Sequence, residues 1–188
     1  MSFIKYIPNT LTFFRIISVP FFLYSLFAGY ELYALFIFIF ASITDWLDGS
    51  IARKYNVITK FGIYFDPLAD KMLVSAAFIS FLFLDSLVGS VELWMVVAIL
   101  SRDIFVSILR FLVSKNGHTM VTSVIAKFKT TIQMITILII LIVVCFSNNF
   151  VLLFSFIKPL MLLTTFMTIY SGFDYFVKNK KLILSTNL

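Results

Sequence analysis

Four aspartates offer the clearest chemistry in this sequence. They form one compact motif, Asp45-x2-Asp48-Gly49-x2-Ala52-Arg53-x8-Gly62-x3-Asp66-x3-Asp70, within an otherwise apolar stretch. A carboxylate in the middle of a bilayer costs about 2.5–3.5 kcal/mol, and clustered carboxylates repel one another. Bound divalent metal would offset both effects, because hard cations prefer carboxylate oxygens. The motif therefore predicts a metal site.

The residues between the aspartates predict a phosphate-bearing ligand. Gly49, Ala52 and Gly62 are small, which leaves room for a ligand or lets helices approach closely. Arg53 follows Gly49 by about one helical turn, where its guanidinium could bind a phosphate that the metals also hold. Two metals could polarise such a phosphate and stabilise the leaving oxygen, and a carboxylate that is not fully engaged could act as a base.

The composition places the motif in a membrane protein. The mean hydropathy is +1.05, 61% of the residues are hydrophobic and only 13% are charged, whereas a soluble domain carries about 25% charged residues. We expect an all-α membrane protein in which residues 1–188 form a single domain. The sequence contains no nucleic-acid motif.

Six transmembrane helices are predicted, since each span needs about 20 apolar residues. They follow a short juxtamembrane stretch at 1–8 and lie at roughly 9–28, 33–54, 62–84, 92–114, 127–147 and 157–177. The sequence leaves open whether the sixth helix begins at Pro159 or earlier, near Phe150. The short connection 54–61 makes the second and third helices antiparallel.

The spacing of the aspartates brings them together at one end of these two helices. Asp45 and Asp48 are three residues apart, and Asp66 and Asp70 are four apart, so each pair shares a helix face. Asp45 lies roughly 12 Å along the helix axis from Arg53, at 1.5 Å per residue. The predicted site is therefore inside the bilayer but near one surface.

The basic residues identify that surface. One predicted side holds most of the lysines and arginines that flank the spans: Lys5, Arg53, Lys54, Lys60, Lys115, Lys178, Lys180 and Lys181. The other side holds acidic residues and no basic ones in its short loops: Glu31, Asp85 and Glu92. This positive-inside pattern predicts cytoplasmic termini and a site that faces the cytoplasm.

The segment from Asp45 to Asp70 resembles the signature of the CDP-alcohol phosphatidyltransferases, with every fixed position met. The resemblance covers roughly residues 5–177. It implies six transmembrane helices, a site for two Mg²⁺ or Mn²⁺ ions, and a homodimer. The family reaction transfers the phosphatidyl group of CDP-diacylglycerol to an alcohol and releases CMP.

The resemblance also implies roles for individual positions. The metal ligands would be Asp45, Asp48, Asp66 and Asp70, and Asp70 would also deprotonate the acceptor hydroxyl. The donor pocket would be lined by Gly49, Ala52, Arg53, Thr59 and Gly62. Pro8 and Asn9 match a family element at the start of the first helix that also touches the donor.

Several stretches are most similar to a bacterial branch of the family whose acceptor is glycerol-3-phosphate. These stretches are 7–12, 44–49, 65–71, 101–110 and 126–133. The chain departs from that branch at three positions, with Asp103 for Glu, Ile108 for Gly and Ala126 for Gly. Other acceptors therefore stay open, among them phosphatidylglycerol, serine and inositol phosphate.

Four basic residues could bind the phosphate of the acceptor. Arg102 and Arg110 lie on one stripe of the fourth predicted helix, and Lys127 and Lys129 open the fifth. Such cations are expected if the acceptor itself carries a phosphate, as glycerol-3-phosphate does. In the alternative, one or two of them neutralise Asp103 or the aspartates of the motif, or extend to lipid head groups.

Two other interpretations compete with metal-dependent transfer. In one, the aspartates form a buried ion network with basic residues, namely Lys71, Arg102 and Arg110. In the other, the chain is a divalent-cation transporter. Transporters usually show internal repeats or helices interrupted at mid-membrane, and this sequence shows no repeat. The Gly49, Arg53 and Gly62 arrangement would also have no use in a cation pathway.

Overall fold

The computed structural model describes the backbone of residues 7–55, 60–115, 124–146 and 150–185. The side chains of 7–9, 46–55, 60–67 and 70, among others, lie outside the described part. Within it the chain forms six α-helices and no strand. This all-helical architecture confirms the predicted fold class.

The helix bounds lie close to the predicted spans. The helices are α1 (Ile7–Phe27), α2 (Glu31–Tyr55), α3 (Lys60–Phe81), α4 (Leu93–Lys115), α5 (Val124–Phe146) and α6 (Phe150–Ser185). A short 3-10 turn, Asp85–Leu87, separates α3 from α4. The predicted juxtamembrane stretch 1–8 is wrong at its end, because Ile7 and Pro8 already belong to α1; residues 1–6 lie outside the described residues.

The first helix ends just before Gly29, the glycine that follows the first apolar span in the sequence. Gly29 has φ of +77°, a conformation that residues with a Cβ rarely adopt. Tyr30 N–H donates to the Ser25 carbonyl at 2.8 Å, and Gly29 N–H lies 3.4 Å from the Leu26 carbonyl. This pattern is a Schellman motif, which satisfies the last carbonyls of α1 and turns the chain into α2.

The sixth helix is longer than predicted. The span predicted at 157–177 begins too late, because α6 starts at Phe150 and continues through Pro159. Lys158, which made this junction ambiguous in the sequence, forms an ion pair with Glu92 at 2.7 Å. Its ammonium also lies 5.1 Å from the centre of the Phe154 ring. Both contacts lie just before Pro159, which removes one backbone hydrogen bond from α6.

The helices pack as a bundle with an apolar core. Helix α1 contacts both α2 and α3, while α4 and α5 pack against α6, and α5 also contacts α2 and α3. Large buried side chains fill the space between them, among them Phe22, Phe38, Phe78, Met95, Ile99, Ile137 and Met161. This core lies in the halves of the helices away from the predicted metal site.

The other end of the bundle buries polar side chains instead. Those on odd-numbered helices lie in the N-terminal half or near the middle, at Thr12, Arg15, Lys129, Gln133 and Thr136. Those on even-numbered helices lie near the middle or in the C-terminal half, at Thr44, Asp103, Thr168, Ser171 and Asn179. This alternation agrees with antiparallel neighbours and places the predicted functional residues at one end.

The outer surface is strongly apolar. Exposed phenylalanines occur on five of the helices, α1, α2, α4, α5 and α6, among them Phe13, Phe21, Phe36, Phe40, Phe105, Phe128 and Phe166. A water-soluble monomer rarely exposes a continuous apolar surface of this kind. Three segments are long and apolar enough to cross a membrane, at Thr10–Phe27, Phe128–Phe146 and Phe154–Lys180. These features identify a membrane protein.

Candidate active site

The structure places the aspartate motif on two helices joined by a four-residue connection. Asp45 and Asp48 lie in α2, and Asp66 and Asp70 lie in α3. Among these four, the structure describes the side chain of Asp45 only. For seven other predicted site residues the structure describes the backbone but not the side chain: Pro8, Asn9, Gly49, Ala52, Arg53, Gly62 and Lys127. Thr59 lies outside the described residues altogether.

Asp45 forms an ion pair with an arginine of the first helix. Arg15 Nη1 lies 2.8 Å from Asp45 Oδ1. The two side chains differ in accessibility, since Arg15 is 1% exposed and Asp45 is 38% exposed. The guanidinium is therefore held inside the bundle, with the carboxylate on its accessible side. Arg15 is not among the basic residues that the sequence suggested as partners for the aspartates.

The donor chemistry around Asp45 suits a hard divalent ion. Carboxylate oxygens are the ligands that Mg²⁺ and Mn²⁺ prefer, and the motif supplies only carboxylates. A carboxylate has about four lone-pair positions, so the contact with Arg15 is compatible with metal coordination. Asp45 is thus a ligand of the right kind, whereas the part of the chain that the structure describes holds no group of three or more His, Cys, Asp or Glu side chains that could bind a metal ion. The four-aspartate metal site stays a prediction.

A second polar cluster joins α4, α5 and α6. Its centre is Asp103, which is largely buried. Lys129 Nζ donates to both oxygens of the Asp103 carboxylate, at 2.5 and 2.6 Å. Arg102 Nη1 lies 3.2 Å from Oδ1, and Gln133 Nε2 donates to Oδ2 at 3.5 Å. We call Arg102, Asp103, Lys129 and Gln133 the Asp103 cluster; its two positive charges and one negative charge leave a net charge of +1.

Arg102 is also fixed from the side of α6. Its Nη2 donates to Ser171 Oγ at 2.5 Å. A Cβ added at the next residue, Gly172, would lie 2.9 Å from Arg102 Cγ, so glycine lets the arginine lie flat against α6. Arg102 and Gly172 line an open groove of about 550 Å³ between α4 and α6, together with Phe105 and Phe173.

Further contacts connect the Asp103 cluster to the helix of Asp66 and Asp70. Lys71 Nζ on α3 donates to Ser107 Oγ on α4, and that hydroxyl donates to the Asp103 carbonyl. Arg110, eight residues after Arg102 on α4, is exposed, and its guanidinium carbon lies 5.9 Å from the centre of the buried Tyr175 ring. This distance is within cation–π range.

The structure therefore brings together only some of the predicted acceptor residues. Arg102 and Lys129 meet at Asp103, which matches the alternative that one or two of the basic residues neutralise that acid. Arg110 lies farther along α4, against α6. Whether these residues bind an acceptor phosphate stays a prediction.

Sequence reasoning missed three residues around these two clusters: Arg15, Ser171 and Tyr175. A signal for Arg15 was present, because it is the only charged residue between Lys5 and Glu31. An ionisable residue within an apolar span is a candidate for a functional site. Ser171 and Tyr175 carried no comparable signal, because hydroxyl groups are common in helices that cross membranes.

This chain belongs to the CDP-alcohol phosphatidyltransferase family, whose sequence profile matches residues 5–170. It is therefore an enzyme of that class, and the cation-transporter interpretation is not supported. The match includes the aspartate motif, Arg15 and the Asp103 cluster.

Three relatives of this chain bear the same name. A CDP-diacylglycerol–glycerol-3-phosphate 3-phosphatidyltransferase of Bacillus subtilis (strain 168) is 34% identical, with 96% of this chain and 98% of the relative covered. A protein of the same name from Rickettsia felis is 36% identical over 94% of this chain and 97% of its own length. A third, from Wigglesworthia glossinidia brevipalpis, is 41% identical over 70% of this chain and 74% of its own length.

Proposed function

We propose that this protein transfers the phosphatidyl group of CDP-diacylglycerol to glycerol-3-phosphate, giving phosphatidylglycerophosphate and CMP. The observation that carries the proposal is the similarity, along nearly the whole chain, to relatives that bear the name of this reaction. The aspartate motif and the net positive Asp103 cluster are the two features of the chain that such a reaction requires.

The donor site is proposed at the polar ends of α2 and α3. Asp45, Asp48, Asp66 and Asp70 would hold two Mg²⁺ or Mn²⁺ ions, which neutralise the donor pyrophosphate and the charge on departing CMP when bound. Arg53 would bind a phosphate, and the pocket would include Gly49, Ala52, Thr59, Gly62, Pro8 and Asn9. An apolar cavity of about 480 Å³ between α1 and α2, lined by Arg15, Thr44 and several phenylalanines, offers an acyl chain apolar surface near Asp45.

The acceptor site is proposed at the Asp103 cluster. Arg102 and Lys129 supply more positive charge than Asp103 neutralises, and Arg110 and Lys127 would add to it. Arg102 Nε is buried and has no hydrogen-bond partner among the described residues. A buried donor of this kind is normally satisfied, so it supports an anionic ligand beside Arg102. A phosphate on the acceptor fits this environment better than neutral inositol or serine.

The proposed chemistry is a direct transfer. Asp70 takes the proton from the acceptor hydroxyl, whose oxygen attacks the β-phosphorus that bears diacylglycerol. The bond from that phosphorus to the bridging oxygen breaks, and CMP leaves with the electron pair. The basic residues of the Asp103 cluster hold the phosphate of glycerol-3-phosphate so that its hydroxyl faces the donor.

We also propose that all six helices cross the membrane, with the active site facing the cytoplasm of a bacterial cell. Helices α2, α3 and α4 have 25, 22 and 23 residues, enough at 1.5 Å per residue for a core about 30 Å thick. Their charged residues, such as Asp45 and Asp103, lower their mean hydropathy. Lys178 and Lys180 lie at the polar end, whereas Glu31 and Glu92 lie at the other, which is the positive-inside arrangement.

A homodimer is proposed from the resemblance to the family. The exposed phenylalanines provide apolar surface that a second copy could cover. Light scattering of the purified protein in detergent, corrected for bound detergent, would measure the mass of the protein assembly. A single-copy mass under conditions that preserve activity would contradict the dimer.

The proposed reaction is tested by identifying its lipid product. The purified protein is given radiolabelled CDP-diacylglycerol, Mg²⁺ and one acceptor at a time: glycerol-3-phosphate, phosphatidylglycerol, serine or inositol phosphate. We expect phosphatidylglycerophosphate and stoichiometric CMP with the first acceptor only. Faster turnover with another acceptor would identify that acceptor as the substrate and leave the class of reaction unchanged.

A further inference from the structure

The ion pair between Arg15 and Asp45 has features that a purely structural contact does not need. Arg15 is among the largest fully buried side chains of the protein, and a buried guanidinium is strongly destabilising without a paired charge. Its partner Asp45 remains 38% exposed. The pair therefore leaves accessible the very carboxylate that the motif assigns to metal binding.

The surroundings of Arg15 hold it in place. Ser18 Oγ donates to the Arg15 carbonyl at 2.7 Å, and Thr44 Oγ1, next to Asp45, donates to the Ala41 carbonyl at 2.8 Å. Thr12 and Thr44 are buried on either side of the pair. Helix α1 packs against both α2 and α3, so Arg15 lies on the helix that contacts both of the helices that carry the aspartate motif.

We propose that Arg15 is a positioning residue that acts as a stand-in cation for the metal site. Its guanidinium binds Asp45 before divalent ions are bound, keeps that carboxylate in one orientation, and lowers the affinity of the site for the ions. This inference rests on the proposed function, because it requires that the aspartates bind metal.

The direction of the effect follows from charge. A positive charge held against the Asp45 carboxylate would repel a divalent ion that the same carboxylate binds, and the interaction is strong where water is partly excluded. Without Arg15, Asp45 loses the cation that lies 2.8 Å from its carboxylate and depends more on Mg²⁺ for compensation of its charge. Replacing Arg15 by a neutral residue should therefore make the ions bind more tightly, by about tenfold, and make the fold more dependent on them.

The test measures melting temperature against Mg²⁺ concentration for the full-length protein in detergent, after EDTA treatment. We expect Arg15→Gln and Arg15→Met to melt below the wild type in EDTA, with a half-saturating Mg²⁺ concentration about tenfold lower than that of the wild type. Arg15→Lys, which keeps the charge, should respond to Mg²⁺ as the wild type does. If a neutral variant folds only in Mg²⁺, that result also supports a stand-in role.

Lys158→Met provides the matched control, because it removes another interhelical ion pair, with Glu92 at 2.7 Å, at the opposite end of the bundle. It should lower the melting temperature without altering the half-saturating Mg²⁺ concentration. The inference is overturned if the neutral Arg15 variants show an unchanged or raised half-saturation, or if they fail to fold even in Mg²⁺. If the wild type itself shows neither Mg²⁺ stabilisation nor CMP release, the proposed function fails as well.

Discussion

The ion pair between Lys129 and Asp103 makes the sharpest prediction about stability. Lys129 is 5% exposed, and its ammonium lies 2.5 and 2.6 Å from the two oxygens of Asp103. Removing one partner of a buried ion pair costs about 3–5 kcal/mol, because it leaves the other charge without compensation. In Lys129→Met, Asp103 keeps Arg102 at 3.2 Å, so we expect a loss near the lower end, about 3 kcal/mol.

The reciprocal change should be at least as destabilising. Asp103→Asn removes the only negative charge of the Asp103 cluster and leaves Lys129 and Arg102 facing each other. We expect it to lower the free energy of unfolding by about 3–5 kcal/mol. The double variant removes both charges of the pair, so its loss should be well below the sum of the single losses, with a coupling energy of about 2–3 kcal/mol.

The cycle is measured by reversible unfolding in mixed micelles, with SDS mole fraction as the denaturing variable. The Lys178–Asp174 pair is the matched control; it spans one turn of α6 at 2.9 Å, and Lys178 is 47% exposed. Its coupling energy should be about 0.3–0.5 kcal/mol, as for other exposed helical pairs. If the Lys129 and Asp103 effects add within about 0.5 kcal/mol, the Asp103 cluster is not the coupled unit that the distances indicate.

Three further predictions concern activity. Asp70→Asn should reduce CMP release at least about 10²-fold, the usual contribution of a general base, while binding of CDP-diacylglycerol in a filter assay stays measurable; near-normal turnover would refute the role of Asp70. Gly172→Ala should raise the KM for glycerol-3-phosphate about tenfold, because its Cβ would lie 2.9 Å from Arg102 Cγ and displace a charge-assisted hydrogen bond; an unchanged KM would remove Arg102 from the acceptor site. EDTA should abolish CMP release, and added Mg²⁺ or Mn²⁺ should restore it; activity that persists in EDTA would contradict metal dependence.

The bounds of the helices were largely predictable, because they follow from the length of each apolar stretch and from the turn residues at its ends. The first five predicted spans end within a few residues of the observed helices, and Gly29 marks the end of α1 through its positive φ. The start of α6 was not predictable, because it depends on a tertiary contact. Lys158 would be unfavourable in an apolar helix without Glu92, which lies 66 residues away in sequence and 2.7 Å away in space.

The residues of the site that are grouped by their spacing along one helix could be predicted from the sequence. The contacts that depend on how different helices pack together could not. The aspartates share helix faces by their spacing, so their grouping on α2 and α3 follows from the sequence. The partner of Asp45 comes from another helix, and nothing in the motif indicates Arg15. Likewise, a charge count could not tell whether Lys129 faces a ligand or Asp103, since both are anionic.

The most direct measurement is diffraction from crystals grown with Mn²⁺ and CDP-diacylglycerol, at a wavelength where manganese scatters anomalously. We expect anomalous peaks about 2.1 Å from carboxylate oxygens of Asp45, Asp48, Asp66 and Asp70, with the pyrophosphate of the donor against the same ions. Strong donor density without any manganese peak, and with the four carboxylates paired to arginine or lysine, would contradict a metal-dependent phosphatidyl transfer at this site.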